Sequence, residues 1–241
     1  MAVPSVTGTP VFNNEVAATN DTVTITVPAD ATSVVVCYGG FASGASVSVS
    51  SVQDTTGTAF DIDNQIVFSQ TTTDQQWCGA SVIHDTDADW ATGSRDYTVT
   101  VTSGGFQLKV GAFCLTDTDT AGTPINGVFE SLTMSDSSAN PSQSVTSTTN
   151  ALDIAVVASY SADLRGGADN TDIGSDYNTT SSSSLFAWSE AGAASSNTVE
   201  ADSAVNHAMV LLSFEGTSGG GGSFPYHAVR QQRKYKTILT M

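Results

Sequence analysis

Hydrophobic residues along the chain follow two patterns, and both are typical of β-strands. In the first, apolar and polar residues alternate, as in residues 22–27 and 97–102. In the second, apolar residues run continuously, as in residues 33–38, 152–160 and 207–214. Alternation places one face of a strand in a core, whereas a continuous run suits a strand that is buried on both faces. Turn-forming residues separate these runs and no amphipathic helix is visible, so the pattern predicts an all-β protein.

The other apolar segments bring the predicted number of strands to ten to twelve. They lie at residues 45–52, 66–68, 77–83, 106–115, 128–134, 144–149 and 185–188. Residues 97–102 and 106–115 are separated by a short loop that contains Gly104 and Gly105, which predicts a hairpin. No repeat of about 40 residues, as in a propeller, is visible. The strands therefore predict a two-sheet, jelly-roll-like β-sandwich over residues 1–216.

A long polar stretch at residues 161–184 interrupts the strands. It is rich in Gly, Asp, Asn, Ser and Thr, and it is too long for a plain connection in a compact domain. We expect it to be either a surface excursion that contacts a partner or a mobile loop.

Composition and charge narrow the class of protein. The 241 residues are 39% hydrophobic and only 13% charged, and 7 Lys and Arg residues against 24 Asp and Glu residues give a net charge of −17. This apolar content argues against a disordered acidic chain. The sequence contains no run of about 18 apolar residues of the kind that spans a membrane. It does not predict a membrane protein.

The basic residues concentrate after a glycine-rich linker at residues 217–223. The segment 224–241 contains no acid and four of the seven basic residues, so the preceding part of the chain has a net charge of −21. A body of that charge opposes approach to phosphate, which disfavours nucleic acid as the partner. A disordered end is a second interpretation.

We favour a third interpretation, in which residues 224–241 form an arm that docks on an acidic partner. Another copy of this chain, or a neighbour in a larger assembly, fits that description. Cations would steer the arm and aromatic residues would anchor it. The predicted contact residues are Phe224, Tyr226, Arg230, Arg233, Lys234, Tyr235 and Lys236.

An acidic cluster offers a candidate metal site. Asp85, Asp87 and Asp89 occupy alternate positions, and Asp96 follows eleven residues after the first. Alternate carboxylates can supply the oxygens that Ca²⁺ requires. Trp90 stands where a calcium loop needs glycine, however, and no Glu closes the loop. A solvated acidic loop is the other interpretation of the same residues.

No catalytic signature is present in the sequence. It contains no nucleophile elbow, phosphate-binding loop or dinucleotide fingerprint. Cys37, Cys78 and Cys114 each lie in an apolar run, which predicts three buried thiols rather than disulfides or zinc ligands. Residues 1–5 have neither the basic nor the apolar region of a secretory signal, so we expect the protein to mature inside the cell that makes it.

Two segments carry a resemblance to a known class of proteins. Residues 151–160 read ALDIAVVASY, and residues 206–216 read NHAMVLLSFEG. With the Ser- and Thr-rich β-chain around them, residues 20–216 resemble jelly-roll-like sandwich domains of tailed-phage virion proteins. These are capsid decoration, head-fibre and tail-associated proteins. The resemblance implies a non-enzymatic virion protein, assembled in the host cytoplasm, with other copies of itself or major capsid or tail proteins as partners.

Two other functions fit the sequence. A carbohydrate-binding or adhesin module, with Ca²⁺ as a possible ligand, would use an aromatic platform beside Asp residues, and Trp90 adjoins the acidic cluster. Trp77 and Trp188 are the other two tryptophans. A hydrolase would need two facing carboxylates that meet from distant strands.

Overall fold

The computed structural model describes most of the first 217 residues. The described ranges are 2–13, 18–42, 47–54, 65–70, 75–87, 90–101, 106–119, 142–159, 166–167, 170–176, 184–192, 196–200, 202 and 207–217. Within these ranges the chain forms fourteen β-strands and no helix. Every strand pair is antiparallel.

The strands form four sheets, two from the first half of the chain and two from the second. The first outer sheet has the order β2-β7-β4, with β2 at Asn20–Val27, β7 at Gly93–Val101 and β4 at Val49–Asp54. The first inner sheet has the order β1-β8-β3-β6-β5. Its strands are β1 Ser5–Phe12, β8 Phe106–Thr116, β3 Ser33–Ala42, β6 Gln75–His84 and β5 Gln65–Gln70.

The second half of the chain repeats this arrangement with fewer strands. The second inner sheet has the order β11-β12-β10-β14, and the second outer sheet pairs β13 with β9. The strands are β9 Ser142–Thr146, β10 Ala151–Ser159, β11 Thr171–Asp176, β12 Ser184–Ala191, β13 Ser196–Glu200 and β14 His207–Glu215.

Three hydrophobic cores separate the four sheets. The first core lies between the first outer and first inner sheets and includes Val23 and Leu108. The second core lies between the two inner sheets, where Phe113 faces the layer that contains Ile154. The third core lies between the second inner and second outer sheets and includes Val199. The two inner sheets are therefore buried on both faces.

The sequence pattern of each strand matches its layer. In β3, Val34 belongs to the first core and the next residue, Val35, belongs to the second. Such a strand needs apolar residues at every position. In β2, Val23 and Ile25 are buried whereas Thr24 between them is exposed, because the other face of this outer sheet meets water.

The prediction of an all-β sandwich is confirmed, but the sheets number four rather than two. The predicted hairpin of residues 97–102 with 106–115 is wrong, because β7 pairs in the first outer sheet and β8 in the first inner sheet. The physical reason is that β7 alternates and β8 does not, so the two strands suit different layers. The jelly-roll-like strand order stays a prediction. The predicted strand at 128–134 lies outside the described residues.

The polar stretch 161–184 is not simply a loop. Its residues Thr171–Asp176 form β11, the edge strand of the second inner sheet, paired with β12. β1 and β13 were also not predicted from the sequence. All three strands lie at the edge of a sheet or in a two-stranded sheet, where fewer apolar residues are needed.

Backbone contacts join the two halves at one end of the stack. Asp117 adopts a left-handed conformation with φ of 60° after β8, a conformation that Asp tolerates better than most residues. The next residue, Thr118, forms a bridge with Gly216 after β14. Flanking hydrogen bonds run from Asp119 N to Glu215 O at 2.8 Å and from Thr217 N to Asp117 O at 2.9 Å. None of the described residues belongs to a helix long and apolar enough to cross a membrane.

Candidate functional site

The predicted arm cannot be placed relative to the sheets. The contact residues predicted between Phe224 and Lys236, and the linker after Thr217, lie outside the described residues. The arm therefore stays a prediction.

The described members of the acidic cluster do not converge. The carboxylate of Asp87 accepts a hydrogen bond from the backbone N–H of His84 at 2.7 Å. Asp96 lies on β7 and accepts a hydrogen bond from Thr24 Oγ1 of β2, also at 2.7 Å. Within the described residues no group of three or more His, Cys, Asp or Glu side chains could hold a metal. Asp85 and Asp87 are exposed, as the solvated-loop interpretation expects, while Asp89 lies outside the described ranges.

The tryptophans do not form an exposed platform. Trp77 is fully buried and Trp188 is 1% exposed. Trp90 is partly buried and packs against the first core. Aromatic recognition of a sugar requires an accessible ring face, so two of the three tryptophans are unsuited to it.

A buried polar network lies at the end of the stack where the two halves are bridged. Ser33 Oγ on β3 lies 2.7 Å from His84 Nδ1 on β6 and 2.6 Å from Thr118 Oγ1. Thr32 Oγ1 lies 2.8 Å from the same Thr118 oxygen. Because Thr118 also bridges Gly216, this network connects the first inner sheet to the end of β14.

The environment of His84 in this network favours the neutral imidazole. Burial lowers the pKa of His84, and the nearby charges of Asp87 and Asp85 oppose that effect in part. A neutral imidazole accepts a hydrogen bond at one ring nitrogen, which suits the hydroxyl of Ser33. Ser33 is fully buried, so its hydroxyl is not placed to attack a substrate. The network is structural in its geometry rather than catalytic.

A second polar cluster lies between the two inner sheets. Along β8, Leu108 and Val110 face the first core, while Phe113 and Leu115 face the second. Lys109 therefore points between the inner sheets, and its side chain is fully buried. Its Nζ forms an ion pair with Oδ2 of Asp176 on β11.

A separate polar contact joins β2 to the end of β1. The amide of Asn13, just after β1, donates a hydrogen bond to the backbone oxygen of Thr22 at 2.6 Å and lies 3.5 Å from the Asp21 carboxylate. Burial raises the pKa of Asp21, and the charge of Asp176 adds a smaller effect in the same direction.

The aromatic ring of Phe12 closes the space beside the ion pair of Lys109 with Asp176. It packs on Gly111 of the first inner sheet and on Gly174 of the second. A methyl group at either glycine would overlap the ring. Because Gly111 and Gly174 have no Cβ atom, the ring of Phe12 fits between β8 and β11.

Sequence reasoning missed both buried clusters, although one signal was present. Lys109 is the only charged residue in the apolar run of β8. A lone lysine in a strand that is apolar on both faces indicates a buried partner. The identity of the partner was not visible, because Asp176 lies 67 residues away along the chain.

β14 is the last strand of the second inner sheet. It pairs with β10 on one side, and within the described residues no strand pairs with its other side. Residues 117–119 hydrogen-bond beside its end, and eight of its nine residues are buried. The strand is therefore covered in the folded chain rather than open to solvent.

Comparison of the chain with protein-family models, with curated proteins and with solved structures found no match.

Proposed function

We propose that this protein is a non-enzymatic structural component of a virus particle, a capsid decoration, fibre or tail-associated protein. It assembles with copies of itself or with capsid or tail proteins through its sheet edges and its basic arm. The observation that carries the proposal is the layered body, in which three hydrophobic cores hold four sheets together. The basic arm would supply the contact between chains.

The layered body suits a load-bearing role. Three cores between four sheets immobilise the strands, and the cysteines Cys37, Cys78 and Cys114 are all buried and unpaired. Two buried polar side chains, Thr118 and Lys109, help to join the layers. This arrangement supports a scaffold more than it supports a site that must open to a substrate.

The distribution of charge along the chain supports the docking of the arm on a neighbouring copy. The chain before residue 223 carries a net charge of −21, and the segment 224–241 carries four basic residues and no acid. An arm of that charge is attracted to the body of a neighbouring copy. Because the arm is tethered by a glycine-rich linker, docking of a second contact becomes effectively intramolecular.

The test compares the full chain with a chain that ends at residue 223. We expect the full chain to form oligomers in light scattering and the truncated chain to be a folded monomer, with the same circular dichroism. A matched full-length variant replaces Arg230, Arg233, Lys234 and Lys236 with Gln. It should lose assembly to a similar degree, and added salt should weaken assembly of the unmodified chain. Equal assembly by all three chains would refute the role of the arm.

A further inference from the structure

The ion pair of Lys109 with Asp176 is unusual in its position. It lies between the two inner sheets, where Lys109 is fully buried and the side chain of Asp176 is 7% exposed. The neighbouring positions on the same face of β8, Gly111 and Phe113, are part of the contact between these sheets. Moving two charges out of water into such a site is unfavourable unless the charges pair closely.

The pair also holds a nucleophile and an electrophile in contact. A lysine nitrogen is nucleophilic once it has lost a proton, and a carboxyl carbon accepts a nucleophile once the carboxyl group is protonated. Groups held in reacting geometry inside a protein reach effective concentrations that no bimolecular encounter can match. Apolar residues exclude water from the second core around them, which favours a reaction that releases water.

We propose that Lys109 and Asp176 condense to form an intramolecular isopeptide bond. The site is thus a self-modification site that joins the two inner sheets covalently. The inference does not depend on the proposed virion function.

The reaction balances without any other reactant. One proton passes from the Lys109 ammonium to the Asp176 carboxylate, which leaves a neutral amine and a neutral acid. The nitrogen lone pair then forms a bond to Cγ of Asp176. A second proton passes from the nitrogen to the departing hydroxyl as the C–O bond breaks. The products are one amide and one water, and nothing is oxidised or reduced.

The same chain contains a matched pair that cannot react in this way. Arg95 on β7 forms an ion pair with Asp54 on β4, and the two side chains are 15% and 2% exposed. A guanidinium group stays protonated and is a poor nucleophile. This pair also has a buried carboxylate but lacks the amine, so it serves as an internal control.

The test is the intact mass of the full chain, purified and unfolded. We expect a mass lower than the sequence mass by one water molecule. The variants Asp176→Ala and Lys109→Met should each have the full mass expected from their sequences. If the unmodified protein has the mass calculated from its sequence, with no loss of water, the proposal is wrong, whether or not the variants fold.

Digestion with trypsin locates the bond. Trypsin cleaves after a free lysine, so a cross-linked Lys109 should stay uncut and segment 96–165 should remain joined to segment 166–230. Cleavage after Arg95, the control position, should be complete in the same digest. Complete cleavage after Lys109, or water loss that maps elsewhere in the chain, would contradict the assignment.

Discussion

The hydroxyl of Ser33 lies 2.7 Å from Nδ1 of His84, and both side chains are buried. The same hydroxyl contacts Thr118, which bridges the end of β14 through Gly216. The protonation of one imidazole is therefore connected, through a single hydroxyl, to the contact that joins the two halves of the chain. We therefore expect the stability of the fold to depend on pH.

The first prediction concerns that pH dependence. Burial lowers the pKa of His84 in the folded state, so the unfolded chain binds this proton at a higher pH than the folded chain does. Stability from the neutral imidazole is fully present above the ordinary His pKa of about 6.5 and is lost as the pH falls toward the folded pKa. We expect the urea midpoint to fall between pH 7.5 and pH 5.5.

The control is the variant His84→Gln, which keeps a polar side chain without a titration in this range. Its urea midpoint should change less over the same pH interval, while His207 and His227 remain in place. An identical slope in both proteins would show that another group is responsible.

The second prediction concerns the ring of Phe12 between its two glycines. Phe12→Ala removes a partly buried ring from the second core and should cost about 2–4 kcal/mol in free energy of unfolding. Gly111→Ala should cost about 1–3 kcal/mol because its methyl group overlaps the ring. The control is Gly167→Ala, since a methyl group there makes only ordinary contacts.

The coupling between ring and glycine is measured by a double variant. Phe12→Leu combined with Gly111→Ala should cost less than the sum of the two single changes, because the smaller side chain vacates the space that the methyl group needs. Strict additivity in denaturant unfolding would mean that the two residues do not compete for space.

The third prediction concerns the ion pair of Arg95 with Asp54. Arg95→Met leaves the carboxylate of Asp54 buried without its cation and should cost about 3 kcal/mol. The double variant Arg95→Met with Asp54→Leu removes both charges and should regain most of that loss in thermal or urea unfolding. A double variant as unstable as the single one would show that the pair contributes through packing.

The fourth prediction concerns the three thiols. Burial raises the pKa of Cys78 to about 12 and that of Cys114 to about 11, and it also raises the pKa of Cys37. Since the thiolate is the reactive form, the folded protein should resist a thiol reagent such as DTNB at pH 8. All three thiols should then react together in denaturant, at the rate of unfolding. Rapid labelling of one thiol in native buffer would contradict this.

The layer of most strands could be predicted from sequence, although the number of layers was not. The continuous apolar runs of β3, β10 and β14 lie in the inner sheets, and the alternating runs of β2 and β7 lie in an outer sheet. A two-sheet sandwich with one solvated face per sheet has no place for so many doubly buried strands. Counting the two kinds of run would have indicated more than two sheets.

The clusters were harder to predict because their members meet only through tertiary packing. β11 reads TDIGSD and contains a single large apolar residue, Ile173, so it does not look like a strand. Asp176 at its end therefore gave no sign that it faces Lys109. The hydroxyls of Ser33 and Thr118 were equally inconspicuous in a chain so rich in Ser and Thr.

The second core has a consequence for synthesis of the chain. β1 to β8 complete the first inner sheet, yet one of its faces is covered only by strands that are translated later, β10, β12 and β14. A nascent chain that has folded its first half exposes the apolar face of this sheet at the ribosome until the remaining strands emerge. Fragments that stop near residue 119 should accordingly aggregate or recruit chaperones, and the two halves are obliged to mature as one unit.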